Sequence, residues 1–122
     1  MAEIQHCEHL DQAVMDHLKV KLNNFPELEM TAATFEMLGN LSRLRILYIL
    51  FEIDHCSVNQ LAEVMDMSAA ALSNHLRYLR DRKLVKTQRD GSNIYYSLAA
   101  SEKAAEACKI AKRILGMNNP AS

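Results

Sequence analysis

The stretch from Ser57 to Lys83, SVNQLAEVMDMSAAALSNHLRYLRDRK, constrains this chain more than any other. Ser57 and Ser68 are N-cap residues, whose hydroxyls accept from the unpaired N–H groups of a first helical turn. The first helix runs over NQLAEVMD, with Leu61, Ala62 and Val64–Met65 as its buried face. The second runs over AAALSNHLRYLRDRK, with Ala71, Leu72, His75–Leu76 and Leu79 as its inner stripe. Two short capped helices joined by a tight turn make a helix-turn-helix. On the second helix Ala69, Ala70, Ser73, Asn74 and Arg77 face away from the stripe. Small residues let a helix backbone approach a major groove, hydroxyl and amide groups read base edges, and arginines grip phosphate.

The next segment, LVKTQRDGSNIYYSLA, is rich in strand formers, with Asp90-Gly91 as its turn signal. A hairpin directly after a helix-turn-helix is a wing, and Lys86, Gln88 and Arg89 lie where a wing meets the flanking backbone or minor groove. Upstream, Leu10, Val14, Leu18 and Leu22 form one stripe of a helix that Asn23, Asn24 and Pro26 end. Thr31 is read as the cap of a second helix, with Phe35, Leu38 and Leu41 on its inner side. LSRLRILYILFEI is apolar almost all round and reads as the central buried helix, with Arg43 and Arg45 at its outer edge. SEKAAEACKIAKRIL closes the chain with an apolar face of Ala104, Ala107, Cys108, Ala111, Ile114 and Leu115. That face has little left to pack on within one chain, so it is expected to meet a second copy. A two-fold dimer would present paired helices to palindromic DNA.

The fold class expected is therefore mainly α with a small β-hairpin: a winged helix-turn-helix, homodimeric through its terminal helices. The organisation expected is an N-terminal arm and helix over residues 1–30, a DNA-binding core over 31–100 and a dimerisation helix with a short tail over 101–122. The 122 residues suit one small domain, which buries a modest core.

A formal net charge of −1 conceals an asymmetry. Residues 1–40 carry seven acids against two lysines, whereas residues 77–89 carry six basic side chains against Asp81. The basic block is a phosphate-binding surface or, more blandly, a solvated helix face. No apolar run nears the roughly 20 residues that span a bilayer, and MAEIQHCEHLDQ has no secretory pattern, so a cytoplasmic protein with no membrane partner is expected. Cys7, Cys56 and Cys108 are an odd number and form no CxxC; in a reducing compartment they are thiols open to metal or redox chemistry. No nucleophile–base pair or phosphate loop is present, so an enzyme is not expected.

In order and together, LGNLSRLRILYIL and SVNQLAEVMDMSAAALSNHLRYLRDRKLVKTQRDGSNIYYSL resemble the ArsR/SmtB family of bacterial repressors. The likeness is close over about residues 35–98 and loose at both ends. Lys83 stands where the family pattern has a glycine before Leu-Val. The resemblance implies a homodimer that binds an operator and is released by an inducer, usually a metal ion. The nearest branch, which senses cadmium and lead, carries a cysteine-bearing N-terminal arm. The arm here reads HCEHLD, which makes His6, Cys7, His9 and Asp11 candidate ligands, joined by His55 and Cys56. Ser57 and Asn59 occupy the positions of that branch's cysteine pair, and the last helix lacks the histidines of the family's second metal site. Thiolate and imidazole suit Zn²⁺, and thiolate-rich sets suit softer ions such as Cd²⁺ or Pb²⁺.

The expected DNA-facing set is Ser68, Ala70, Ser73, Asn74 and His75 toward bases, with Arg77, Lys86 and Arg89 toward phosphates. His75 has helix packing as its alternative. Cys108 reads first as a small hydrophobe, and otherwise as one thiol of a redox- or persulfide-responsive repressor. A winged-helix module for protein contacts is the alternative of another class.

Overall fold

A computed structural model of the chain describes residues 10–117. The chain divides into two compact units, Met1–Ala33 and Thr34–Ser122, each described here by itself.

In the first unit, α1 (Gln12–Asn23) is capped by Asp11, whose carboxylate accepts from the Val14 N–H at 2.9 Å. Asn24 closes the helix, its side-chain amide donating to the Val20 carbonyl at 2.9 Å. Leu10, Val14, Leu18 and Leu22 form the expected stripe, yet all four are exposed and no residue of α1 is buried. A second helix, α2 (Glu27–Leu38), begins four residues before the expected cap at Thr31. The reason lies in Pro26. Its fixed φ suits a first turn, its carbonyl accepts from the Glu29 and Met30 N–H groups, and Glu27 and Glu29 favour the positive end of the helix.

The second unit contains the end of α2, then α3 (Leu41–Glu52), β1 (Cys56–Ser57), α4 (Val58–Met65), α5 (Ala69–Asp81), β2 (Val85–Asp90), β3 (Asn93–Leu98) and α6 (Glu102–Ile114). Its core joins Ile46, Leu47 and Leu50 of α3 to Leu61 of α4 and to Leu72, Leu76 and Leu79 of α5. Leu84, Val85 and Ala107 complete it from the wing and the last helix. Each fully buried leucine contributes about 1.5–3 kcal/mol relative to an exposed one.

Four apolar residues expected inside are exposed. Val64 is 68 % exposed and Leu41 63 %, and Phe35 and Ala71 also face outward. The buried stripe of α5 follows Leu72, Leu76 and Leu79, which leaves Ala71 to one side. On α4 Ala62 and Met65 pack against the core with Leu61, and Val64 alone of the expected face turns outward.

The hairpin is present, and a third strand joins it. The sheet order is β1-β3-β2, antiparallel throughout, with Cys56 opposite Tyr96 and Ser57 opposite Tyr95. Gly91 and Ser92 form the turn, one residue later than the Asp90-Gly91 signal. Gly91 at φ +68° takes the left-handed conformation that the first position of a two-residue hairpin loop requires.

The end of α5 sets where the wing starts. The Lys83 N–H donates to the Arg80 carbonyl and the Leu84 N–H to the Leu79 carbonyl, at 3.0 and 2.9 Å. This paired closure demands a left-handed residue between helix and strand, and Lys83 supplies it at φ +66°. An L side chain in that conformation costs roughly 1 kcal/mol that glycine does not. The substitution Lys83→Gly should therefore stabilise the fold by about 0.5–1 kcal/mol, whereas Lys83→Ala should not. Urea unfolding at one fixed protein concentration checks both variants.

Candidate nucleic-acid interface

α4 and α5 are joined through Asp66 and Met67. Asp66 is left-handed at φ 54°, and the Met67 N–H donates to the Ala62 carbonyl at 3.0 Å. Both helices begin on serine caps. Ser57 and Gln60 form a reciprocal capping box, and the Ser68 hydroxyl accepts from the Ala71 N–H at 3.1 Å. The leucines on one side of α5 therefore fix which side faces solvent. Ala70, Asn74 and Arg77, spaced by four and three, lie on the exposed side with Ser73 beside them.

These side chains are already ordered. The Ser73 hydroxyl donates to the Ala69 carbonyl at 2.8 Å, and the Asn74 side-chain oxygen accepts from the Arg77 guanidinium at 3.1 Å. The second contact engages the Asn74 oxygen and not its amide N–H groups. His75 is only half-exposed and adjoins the buried stripe, whereas Ser68 is exposed at the helix start. Arg77, Arg80, Arg82, Lys83, Lys86 and Arg89 are all exposed. The fold thus brings the expected DNA-facing residues onto α5 and the adjoining strand β2.

One constellation escaped the sequence reading. The Arg43 guanidinium donates from Nε to the Met37 carbonyl at 3.2 Å and from Nη2 to the Glu36 carbonyl at 3.0 Å. It also lies 3.7 Å from the centre of the Tyr78 ring, while Arg82 lies 3.5 Å from the same centre. Two guanidinium groups cannot share one face at those distances, so Tyr78 is held between them. Arg43 thereby satisfies the carboxyl end of α2 and braces α5 through the Tyr78 ring. The i, i+4 spacing of Tyr78 and Arg82 was a usable signal; the longer reach to Arg43 was not.

The candidate metal ligands divide. His6, Cys7 and His9 lie outside the described residues. Asp11 serves as the cap of α1. His55 is exposed, its ring edge-on to Tyr95 at 5.4 Å between centroids. Cys56 was expected as an accessible thiol at a helix start. It stands instead on β1, 3 % exposed, among the core residues. Strand alternation explains this, since pairing with β3 turns position 56 inward and position 55 outward. Burial pushes the Cys56 thiol above its usual range, which keeps it protonated. Among the described residues no three His, Cys, Asp or Glu side chains gather to hold a metal ion, so these residues do not fit one by themselves. Cys108 is half-buried on α6; burial raises its pKa too, and nearby Lys112 partly opposes that.

Residues 41–87, the span from α3 to the first half of the wing, match the family model described as bacterial regulatory protein, arsR family. Over 91 residues the chain is 37 % identical to a transcriptional repressor SmtB homolog of Synechocystis sp., covering 75 % of this chain and 67 % of that one. Over 90 residues it is 32 % identical to the cadmium resistance transcriptional regulatory protein CadC of Listeria innocua, covering 74 % and 73 %. This chain belongs to the arsR family. Among solved structures, reduced HlyU from Vibrio cholerae superposes with a TM-score of 0.60 at 30 % identity, over 73 % of this chain and 96 % of that one. The arsR relatives are transcriptional regulators with a DNA-binding fold, not enzymes, and the three-stranded winged helix-turn-helix seen here is that fold. No described helix is long and apolar enough to cross a membrane.

Two outcomes are expected from this geometry. Arg43→Ala should cost about 1–3 kcal/mol, since it uncovers two helix-end carbonyls and one face of Tyr78; thermal unfolding checks it. The Cys56 thiol should resist a thiol reagent in the native protein and react only on unfolding. Because its pKa is raised in the folded state, the associated stability is full below the unfolded thiol's pKa and falls as pH climbs through the folded value. Chemical unfolding from pH 7 to pH 10 should show that loss, and it should be absent in Cys56→Ala.

Proposed function

We propose that this protein is a cytoplasmic, homodimeric transcriptional repressor that binds a palindromic operator and is released by a thiophilic metal ion. The observation that carries the DNA half is the solvent face of α5. Ala70, Ser73, Asn74 and Arg77 stand there at groove-reading spacing, flanked by the basic residues Lys86 and Arg89 of the wing. Ser68 and His75 complete the base-facing set. The dimer is supported by apolar surface that the chain leaves uncovered. Besides the α1 stripe, Ile114 is 74 % exposed, and Phe35, Leu38, Leu44, Ala111, Ile114 and Leu115 line an apolar hollow of about 170 Å³.

Support for the metal half is chemical and comparative: the HCEHLD segment, and the similarity to a cadmium resistance regulator and an SmtB homolog. The ligand set is Cys7 with His6, His9, Asp11, His55 and Cys56 as the groups to test, and Cd²⁺, Pb²⁺ or Zn²⁺ as the ions. Engagement of Cys56 requires β1 to leave β3, because its sulfur faces the core. Coupling of roughly 1–3 kcal/mol between the ion and DNA would lower affinity from several-fold to over a hundredfold. The similarity to a protein solved as reduced HlyU supports a second reading in which Cys108, half-buried on α6, and another thiol respond to oxidant or persulfide.

Duplexes selected by the protein from a random-sequence pool supply the operator. Asn74→Ala should lose about 1–3 kcal/mol of discrimination at one base pair, and Arg77→Ala should weaken all sequences alike and reduce the salt slope by about one. Titration of the reduced dimer with Cd²⁺, Pb²⁺ and Zn²⁺ should release DNA, and Cys7→Ser should abolish release. DNA retained at every metal concentration, with release by persulfide that Cys108→Ala prevents, would overturn the metal reading in favour of the thiol one.

A further inference from the structure

The sheet has one face toward the core and one toward solvent, and register fixes what each carries. Cys56, Tyr96 and Thr87 align across the three strands on the inner side. On the outer side Ser57, Tyr95 and Gln88 align, and extending the same register sets His55 beside Ser97 and Lys86. His55, Gln88, Arg89, Asp90, Tyr95 and Ser97 together line a concavity of about 310 Å³.

Its chemistry is lopsided. The imidazole, the Gln88 amide and the Tyr95 and Ser97 hydroxyls can all donate hydrogen bonds. Asp90 is the single group there that only accepts. Lys86, opposite Ser97 in the register, puts a cation on the same face, whereas Arg89 springs from the other face with Thr87 and Ile94. Gathered donors with an ammonium among them suit a tetrahedral oxyanion. Position narrows the source of that anion. The concavity lies between the wing and the residue that leads, through Ser57, into the start of α4. In helix-turn-helix docking the first helix crosses the DNA backbone while the second enters the groove, and the wing lies alongside.

We infer that this concavity on the outer face of the sheet is a phosphate site for the operator backbone, in which His55 is a DNA contact on the same face as Lys86. The inference rests on the operator-binding reading of α5 and adds a contact that neither the recognition helix nor the wing alone supplies. It gives His55 work that no metal ion enters.

Salt dependence tests it, because each phosphate neutralised by a fixed charge steepens the slope of log affinity against log salt by about 0.9. Operator affinity is measured from low to moderate salt for the full chain, for His55→Ala and for His55→Lys. His55 is exposed, so both variants should fold, which circular dichroism verifies. His55→Ala should bind several-fold more weakly. His55→Lys should restore binding and steepen the slope by about one phosphate's worth. The effects of His55→Ala and Lys86→Ala should be less than additive, as expected for two groups on one phosphate.

Unchanged affinity in His55→Ala and an unchanged slope in His55→Lys would overturn the inference while leaving the operator reading intact. A wild-type protein that binds no selected duplex in a salt-dependent manner would overturn both. Inorganic phosphate, titrated at constant ionic strength, separates the two sources of the anion. Saturable shifts of the His55 and Tyr95 ring signals, in a protein whose DNA affinity ignores His55→Ala, would assign the site to free phosphate and overturn the DNA contact.

Discussion

Everything the DNA-facing surface offers depends on the burial of three leucines. Leu72, Leu76 and Leu79 are fully enclosed against Ile46, Leu47 and Leu50. A helix packed through such a stripe cannot rotate about its axis without exposing one side chain and burying its neighbour. Side chains one-half turn away are therefore aimed by hydrophobic burial alone. Asn74 and Arg77 need no loop to place them, as the proposed base readout requires. Rigidity matters because a readout hydrogen bond tolerates little misplacement.

The stripe fixes rotation about the axis and leaves tilt to other contacts. Arg43 restrains tilt from one side by holding Tyr78 while it covers the last carbonyls of α2. The closure at Lys83 restrains the far end, since the carbonyls of Leu79 and Arg80 are taken by residues entering the wing. Helix α5 and the sheet are thus one body. A phosphate in the concavity beside His55 and a base edge at Asn74 would be felt through the same few bonds.

Helix caps, stripes and the wing were legible in the sequence because each rests on local chemistry. Ser57 and Ser68 cap where serine is expected to cap, and the steps of three and four on α5 mark its inner side. The strand β1 was not legible. Two residues carry no periodicity, and their pairing with Tyr95 and Tyr96 is settled some forty positions away. That missed strand also changed the meaning of Cys56, which sequence position placed at a helix start and strand pairing turned into the core. Pro26 was read as the end of one helix and proved also to open the next. Phe35, Leu41 and Val64 were assigned inward from their apolarity. Apolar residues at the surface of one chain are ordinary. The arm around Cys7 was legible only as a resemblance.

Ser101 shows a different economy. Its backbone amide region opens α6, its hydroxyl oxygen accepts from the Ala104 N–H at 3.0 Å, and the same hydroxyl donates to the Lys83 carbonyl at 2.7 Å. One atom therefore closes the N-terminus of the last helix and grips the residue that joins α5 to β2. A torque applied to α6 arrives at Lys83 without crossing the core. The left-handed lysine, poorly suited to its own conformation, is the strained residue on that route, and a glycine there would relieve the strain.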